Sequence, residues 1–295
     1  MLFKGSGVAI VTPFNGDGSV DYEGLVDLLE FQIENGTDAI IIIGTTGEAS
    51  TMTEEEKISV IKKTIKVVDN RVPVIAGTGS NDTAAAAAFS KKVADLGVDG
   101  LLVVTPYYNK TSKRGLLEHF KKIANAVAPV PIILYTVPGR TGVHIPIETV
   151  SELSKIENIV GIKDATGDIT YSMDISINTA DDFAIYSGND DMILPILSVG
   201  GSGVISVVAN CLPRETHDIV ESYLNGDSKK SMEIQLRLKP FIDSLFMETN
   251  PIPVKAALNL MGLPSGELRL PLYKAEDNTV ETLKENLKNL GIIGD

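Results

Sequence analysis

Cysteine is almost absent from the chain: Cys211 stands alone. No intrachain disulfide and no thiolate metal cluster can form, and this usage fits the reducing cytoplasm. Histidine is scarce too, and the three present, His119, His144 and His217, never stand four residues apart as a helical metal pair does. No metal centre is expected. Positive charge is short as well: 26 Lys and Arg against 39 Asp and Glu leave a formal net charge of −13. Without basic runs or basic patches interleaved with aromatics, a nucleic-acid or anionic-membrane surface is excluded. Anionic substrates would need local groups to overcome that field. No apolar run reaches the length of a membrane span. The opening MLFKGSGVAIVTPF lacks the charged head, long apolar core and cleavage site of an export signal, so a cytoplasmic location is expected. Neither a Walker phosphate loop nor a dinucleotide glycine fingerprint occurs.

What remains is ordinary globular material, 295 residues with 43% hydrophobic and 22% charged residues, enough for a large core. Short apolar runs recur at Val8–Val11, Ala39–Ile43, Val72–Ala76, Gly100–Val104, Ile132–Tyr135, Ile159–Lys163, Ala184–Ser187 and Gly203–Val207. Amphipathic stretches alternate with them. Asp21 opens one helix, Thr53 and Glu56 form a capping box for the next, the alanine run after Asn81 carries a third, and Pro146 opens another at its first turn. Eight βα units predict an α/β fold, a (β/α)₈ barrel, with an open doubly wound sheet as the alternative. After about Asn210 only helices are predicted, over Leu212–Leu224, Ser228–Met247, Pro251–Met261 and Thr279–Leu290. The expected organisation is a barrel over residues 1–225 and a C-terminal helical part over 226–295.

Lys163 is the conspicuous residue. It ends the apolar run Ile159–Ile162, where burial disfavours the ammonium and frees an amine able to attack a carbonyl. An aliphatic stem packed on the strand with its head in water, or paired with Asp164, is the plainer reading. The other strand ends are also polar. They carry Gly44-Thr45-Thr46-Gly47-Glu48, Thr105-Pro106-Tyr107-Tyr108-Asn109, Tyr135 with Arg140, Ser187-Gly188-Asn189-Asp190, and the small residues from Gly200 to Ser206. Hydroxyls and exposed amides suit a carboxylate, and arginine binds one through two hydrogen bonds. A strand-end lysine, phenols, threonines and an arginine facing one barrel mouth are the parts of a Schiff-base lyase acting on an oxo acid.

GTTGE at Gly44–Glu48, TPYYN at Thr105–Asn109, YxVPxRTG from Tyr135, GIKDATG from Gly161 and NPIPVK from Asn250 together resemble the dihydrodipicolinate synthase family of pyruvate-dependent class I aldolases. The resemblance runs from Gly5 to the C-terminus. It implies a Schiff base between Lys163 and pyruvate, with no separate cofactor. It also implies proton transfer by Tyr135, and a relay completed by Thr45 and by Tyr108 from a neighbouring subunit. Thr46 and the Ile205 backbone would hold the pyruvate carboxylate, with Gly188 close by. Arg140 would bind the carboxylate of L-aspartate 4-semialdehyde, the second substrate, in diaminopimelate and lysine biosynthesis. A homotetramer built as a dimer of dimers is expected. Thr45 and Arg140 match the synthases rather than the neuraminate-type sister lyases, which act on sugars. A sister aldolase or a silent pyruvate-binding protein on the same barrel are the alternatives. Thr136 stands where the family commonly has asparagine. Ala85, Glu54 and Lys57 replace the groups that bind lysine in feedback-inhibited members, so weak or absent inhibition by lysine is expected; a low inhibition constant would overturn this.

Overall fold

The computed structural model describes residues 1–294. Eight parallel strands follow one another around a closed barrel: β1 Gly5–Ala9, β2 Ala39–Ile42, β3 Val74–Gly77, β4 Gly100–Val104, β5 Ile132–Thr136, β6 Ile159–Asp164, β7 Ala184–Ser187 and β8 Gly203–Ser206. Pairing of β8 with β1 closes the sheet and rules out the open doubly wound alternative.

The helices between strands are α1 Tyr22–Glu34, α2 Glu54–Val68, α3 Thr83–Ala94, α4 Lys113–Val127, the single turn α5 Pro138–Thr141, α6 Ile147–Leu153, α7 Ile169–Asn178 and α8 Ile193–Ser198. Beyond the barrel strands come α9 Pro213–Leu224, α10 Ser228–Ser244, α11 Ile252–Leu260 and α12 Asp277–Asn289. Their starts are written in the sequence. Asp21 accepts from the amides of Glu23 and Gly24, Thr53 and Glu56 form a reciprocal capping box, and Asp82 and Ser112 cap α3 and α4. Pro146 sits one position earlier than predicted, as the residue that caps α6.

Strand β1 begins at Gly5 rather than at the predicted Val8. Glycine carries no apolar signal, yet it is required at this seam: a Cβ on Gly203, whose φ is +154°, would lie 1.9 Å from the Gly5 carbonyl oxygen. The strand ends early because Asn210 intercepts it, accepting from the Val11 amide at 3.0 Å and donating to the Ala9 carbonyl at 2.9 Å.

Alternation along each strand divides the apolar residues into two cores. Ile40, Ile42, Leu101, Val103, Leu134, Ile162 and Ile185 face the helices, whereas Ile41, Ile75, Leu102, Ile133, Tyr135, Tyr186 and Ile205 fill the barrel. Phe3, just ahead of β1, stacks on Tyr186 with ring centroids 4.4 Å apart, and the Tyr186 hydroxyl donates to the Phe3 carbonyl at 2.7 Å. This pair fills the barrel interior beside the amino-terminal end of β1. Near that end too, His217 on α9 pairs with Asp38 at 2.8 Å, away from the polar strand ends. Among the described residues no helix is long and apolar enough to cross a membrane.

Candidate active site

Strands β5 and β6 pair with Tyr135 opposite Lys163, and β6 and β7 pair with Lys163 opposite Tyr186. Register partners in parallel strands point to the same side, so the three side chains share the barrel interior. Lys163 is 6% exposed, and its Nζ lies 4.5 Å from the centroid of the Tyr135 ring. Among the described residues its amine forms no ion pair within 4.0 Å. Burial pulls the Lys163 amine down from 10.5 to about 8; the Asp190 carboxylate opposes the shift, and the Arg140 guanidinium adds to it. Burial likewise pushes the Tyr135 phenol up to about 12, with Arg140 opposing. Tyr135 therefore carries its proton at neutral pH.

An amine that titrates near 8 is roughly one-tenth unprotonated at pH 7, against about one part in three thousand for an ordinary lysine. The sign of its pH dependence follows. Imine formation with an oxo acid should accelerate as pH rises and level off with a midpoint near 8. Borohydride trapping rates across the pH range measure that midpoint, and a value near 10.5 would mean that the amine is solvated.

A cavity of about 440 Å³ opens beside Tyr135 and is lined also by Thr45, Tyr107 and Arg140; Lys163 lies behind the Tyr135 ring and is not among the residues that line it. Thr45 is exposed to it, while Thr46 is buried. Ile205 is fully buried on β8. Gly188 follows β7, where an added Cβ would meet the Ala165 methyl at 2.7 Å and the Asp164 carbonyl at 3.0 Å, so no larger residue fits. Arg140 leans over the mouth from α5, its Nη2 donating to the Asn250 carbonyl at 3.0 Å. The same Asn250 donates through Nδ2 to Thr46 Oγ1 at 2.9 Å.

Tyr108 is the candidate that the single chain leaves on its surface. It is 92% exposed, in a left-handed conformation with φ +70°, and it does not line the cavity. Thr136 alternates with Tyr135 and so faces away from the barrel interior; its buried hydroxyl has no hydrogen-bond partner among the described residues. Glu54, Lys57, Ala85 and Tyr107 line the outer part of the cavity, where Lys57 lies over the Phe89 ring at 5.8 Å.

The sequence assigns no role to several further groups. Asp190 is buried just past β7, one carboxylate oxygen accepting from the Val207 and Val208 amides at 3.0 Å each, with the Ser206 hydroxyl beside the carboxylate. Burial raises its pKa, and the bonds to its carboxylate counter that shift. Glu48 pairs with Lys255 at 2.7 Å, both side chains 2% exposed or less. The guanidinium of Arg269 stands 4.2 Å from the centroid of the Phe14 ring and pairs with Glu56. The lysine of NPIPVK could have signalled its burial, because it falls among the apolar positions of a helix; Arg269 and Asp190 carry no such local mark.

Relatives match the chain over nearly their whole length. A 4-hydroxy-tetrahydrodipicolinate synthase of Caldicellulosiruptor saccharolyticus is 56% identical over 291 residues, covering 99% of this chain and 98% of the relative. The Clostridium novyi enzyme of the same name is 52% identical, covering 98% and 97%. Among solved structures, the Thermotoga maritima dihydrodipicolinate synthase superposes with a TM-score of 0.97 at 44% identity, covering 99% of this chain and 100% of that one. The Cyanidioschyzon merolae enzyme, solved with lysine bound, gives 0.97 at 40% identity, with 99% of each chain covered. A family model described as the dihydrodipicolinate synthetase family matches residues 2–290. With its barrel, its buried strand-end lysine and its relatives in agreement, the chain belongs to the dihydrodipicolinate synthetase family.

Proposed function

We infer that this protein is a lyase that condenses pyruvate with L-aspartate 4-semialdehyde, the 4-hydroxy-tetrahydrodipicolinate synthase reaction of diaminopimelate and lysine biosynthesis. The observation that carries the reading is Lys163, a buried amine titrating near 8 beside the Tyr135 ring. Its free amine attacks the ketone carbon of pyruvate. The carbinolamine then loses its hydroxyl as water, which requires a proton donor, and the Tyr135 phenol is the protonated group beside the amine. Thr45 and Tyr108 connect that phenol to solvent.

The imine nitrogen, once protonated, is the electron sink, so the reaction needs neither a metal nor an organic cofactor. Loss of a proton from the pyruvate methyl gives the enamine, whose carbon adds to the aldehyde. The amino group of the second substrate then attacks the imine carbon, closes the ring and expels Lys163. The Thr46 hydroxyl and the Ile205 backbone hold the pyruvate carboxylate, and Gly188 leaves the space it occupies. Arg140 is the cation for the carboxylate of the semialdehyde, and the net charge of −13 makes such a local cation necessary. Sodium borohydride with pyruvate, followed by peptide mass spectrometry, tests the assignment. A pyruvyl adduct on Lys163 is expected; an adduct on another lysine would remove the reading.

Tyr108 supports a site shared between subunits. A tyrosine that is 92% exposed and held at φ +70° is suited to reach across an interface into a second subunit's mouth. We propose a homotetramer of two tight dimers, with the relay shared inside each dimer. Tyr108→Phe should lower kcat by about 10²-fold. Mixing it with an inactive Lys163→Met chain should restore activity, because one site of each hybrid dimer then holds both groups. Mixed oligomers no more active than their parents would show that each site is complete within one chain.

A further inference from the structure

The turn that carries Thr45 and Thr46 is held from outside the barrel. Glu48, in the left-handed region at φ +55°, closes it by donating its amide to the Thr45 carbonyl at 3.0 Å. The Glu48 side chain is buried, and it meets Lys255 from α11. We propose that Lys255 is a positioning residue for the pyruvate site: it fixes the Thr45–Glu48 turn and thereby the threonine that faces the pyruvate carboxylate. The proposal rests on the pyruvate reading above.

All three ammonium hydrogens of Lys255 are in use, donated to Glu48 Oε1 at 2.7 Å, the Thr12 carbonyl at 3.0 Å and the Glu267 carbonyl at 2.6 Å. The other Glu48 oxygen accepts from the Arg269 amide at 3.0 Å. Thr12 also holds the turn directly, its hydroxyl donating to the Gly47 carbonyl at 2.8 Å. Lys255 thus joins the end of β1, the end of β2 and the segment after α11 at one atom. Asn250, at the start of the same stretch, grips Thr46 Oγ1. The turn is therefore held at two points from one side.

Stability alone gives no reason for this arrangement. A buried ion pair pays desolvation for both charges, and a well-packed apolar pair of similar volume commonly stabilises as much or more. What the ion pair adds is direction, because three hydrogen bonds to a tetrahedral nitrogen fix the turn where a methionine contact would let it slide. Binding groups must be held within about 0.5 Å of their productive positions, and a misplacement of about 1 Å can cost 10²-fold. Asn250 donates to the Thr46 hydroxyl oxygen, which leaves the Thr46 hydroxyl hydrogen for the substrate only while the turn stays in place.

Two variants test the proposal. Lys255→Met combined with Glu48→Gln removes both charges and leaves no unpaired ion. Glu48→Asp keeps both charges but shortens the reach, so folding is preserved and the turn is displaced. Each should raise the pyruvate KM by about tenfold or more. The pH midpoint of borohydride trapping at Lys163 should stay at its wild-type value. A purely structural role predicts a lower melting temperature with the pyruvate KM unchanged, and that result in either variant overturns the proposal. Trapping of the wild-type protein separates the two claims: no adduct on Lys163 removes the pyruvate reading, whereas a normal adduct with a normal KM in Glu48→Asp removes only the role of Lys255.

Discussion

Lys163→Met should abolish pyruvate trapping and lower kcat by about 10³-fold or more, on the order of 4 kcal/mol of barrier. The same variant should be more stable than the wild type at neutral pH. Lys163 is 6% exposed and its folded pKa, about 8, lies below its ordinary 10.5, so the unfolded chain binds more protons between those values. Stability of the wild type therefore rises with pH through that window, by roughly 3 kcal/mol in all, and below pH 8 the full penalty for burying the ammonium is present. Methionine has no charge to bury and fills a similar volume. Urea unfolding at pH 7 and at pH 10 should show the variant ahead at the lower pH, with the gap narrowing at the higher. Equal stability at pH 7 would mean that the amine is solvated and that the proposed source of its nucleophilicity is wrong. Lys163→Arg should be inactive as well, since a guanidinium keeps its charge at all relevant pH values and is no nucleophile.

The second large effect is expected at Tyr186, the largest of the fully buried side chains and the register partner of Lys163. Tyr186→Ala should destabilise the protein by about 3–5 kcal/mol, through lost burial, the cavity left behind and the loss of stacking on Phe3. It should also reach the chemistry. Water admitted beside Lys163 would ease its desolvation, moving the midpoint of borohydride trapping upward from about 8. Tyr186→Phe keeps the ring and gives up the 2.7 Å hydrogen bond to the Phe3 carbonyl, so a smaller loss, about 1 kcal/mol, is expected with the midpoint unchanged. A midpoint that stays put in Tyr186→Ala would show that the barrel interior below the lysine does not set its pKa.

Much of this was legible in the sequence because it is local. Strand spacing, capping residues and the apolar run that ends at Lys163 each fall within a few neighbouring positions, and the barrel rule then gathers the strand ends at one mouth. Tyr135 and Lys163 could be placed together from that rule alone. The exceptions are contacts between residues far apart in the chain. Asn250 meets Thr46 across 204 positions and Lys255 meets Glu48 across 207, and no periodicity marks either pair. Asp190 is visible in the sequence as part of a strand-end loop, but its burial depends on the Val207 and Val208 amides of the next loop. Strand β1 was misplaced by three residues because Gly5 and Gly7 serve a close approach rather than a core.

The seam where Gly203 meets Gly5 has a consequence for the order in which the molecule is made. Every other strand pair joins neighbours in the chain, whereas this one closes a loop of about two hundred residues, the entropically dearest contact in the barrel. During synthesis β1 emerges first and its partner almost last. Until residue 203 arrives, the growing sheet keeps two unpaired edges, each able to pair with another chain. A nascent chain arrested before β8 should therefore be the species most prone to aggregate, and release of the last strand should mark the point at which the barrel becomes resistant to proteolysis.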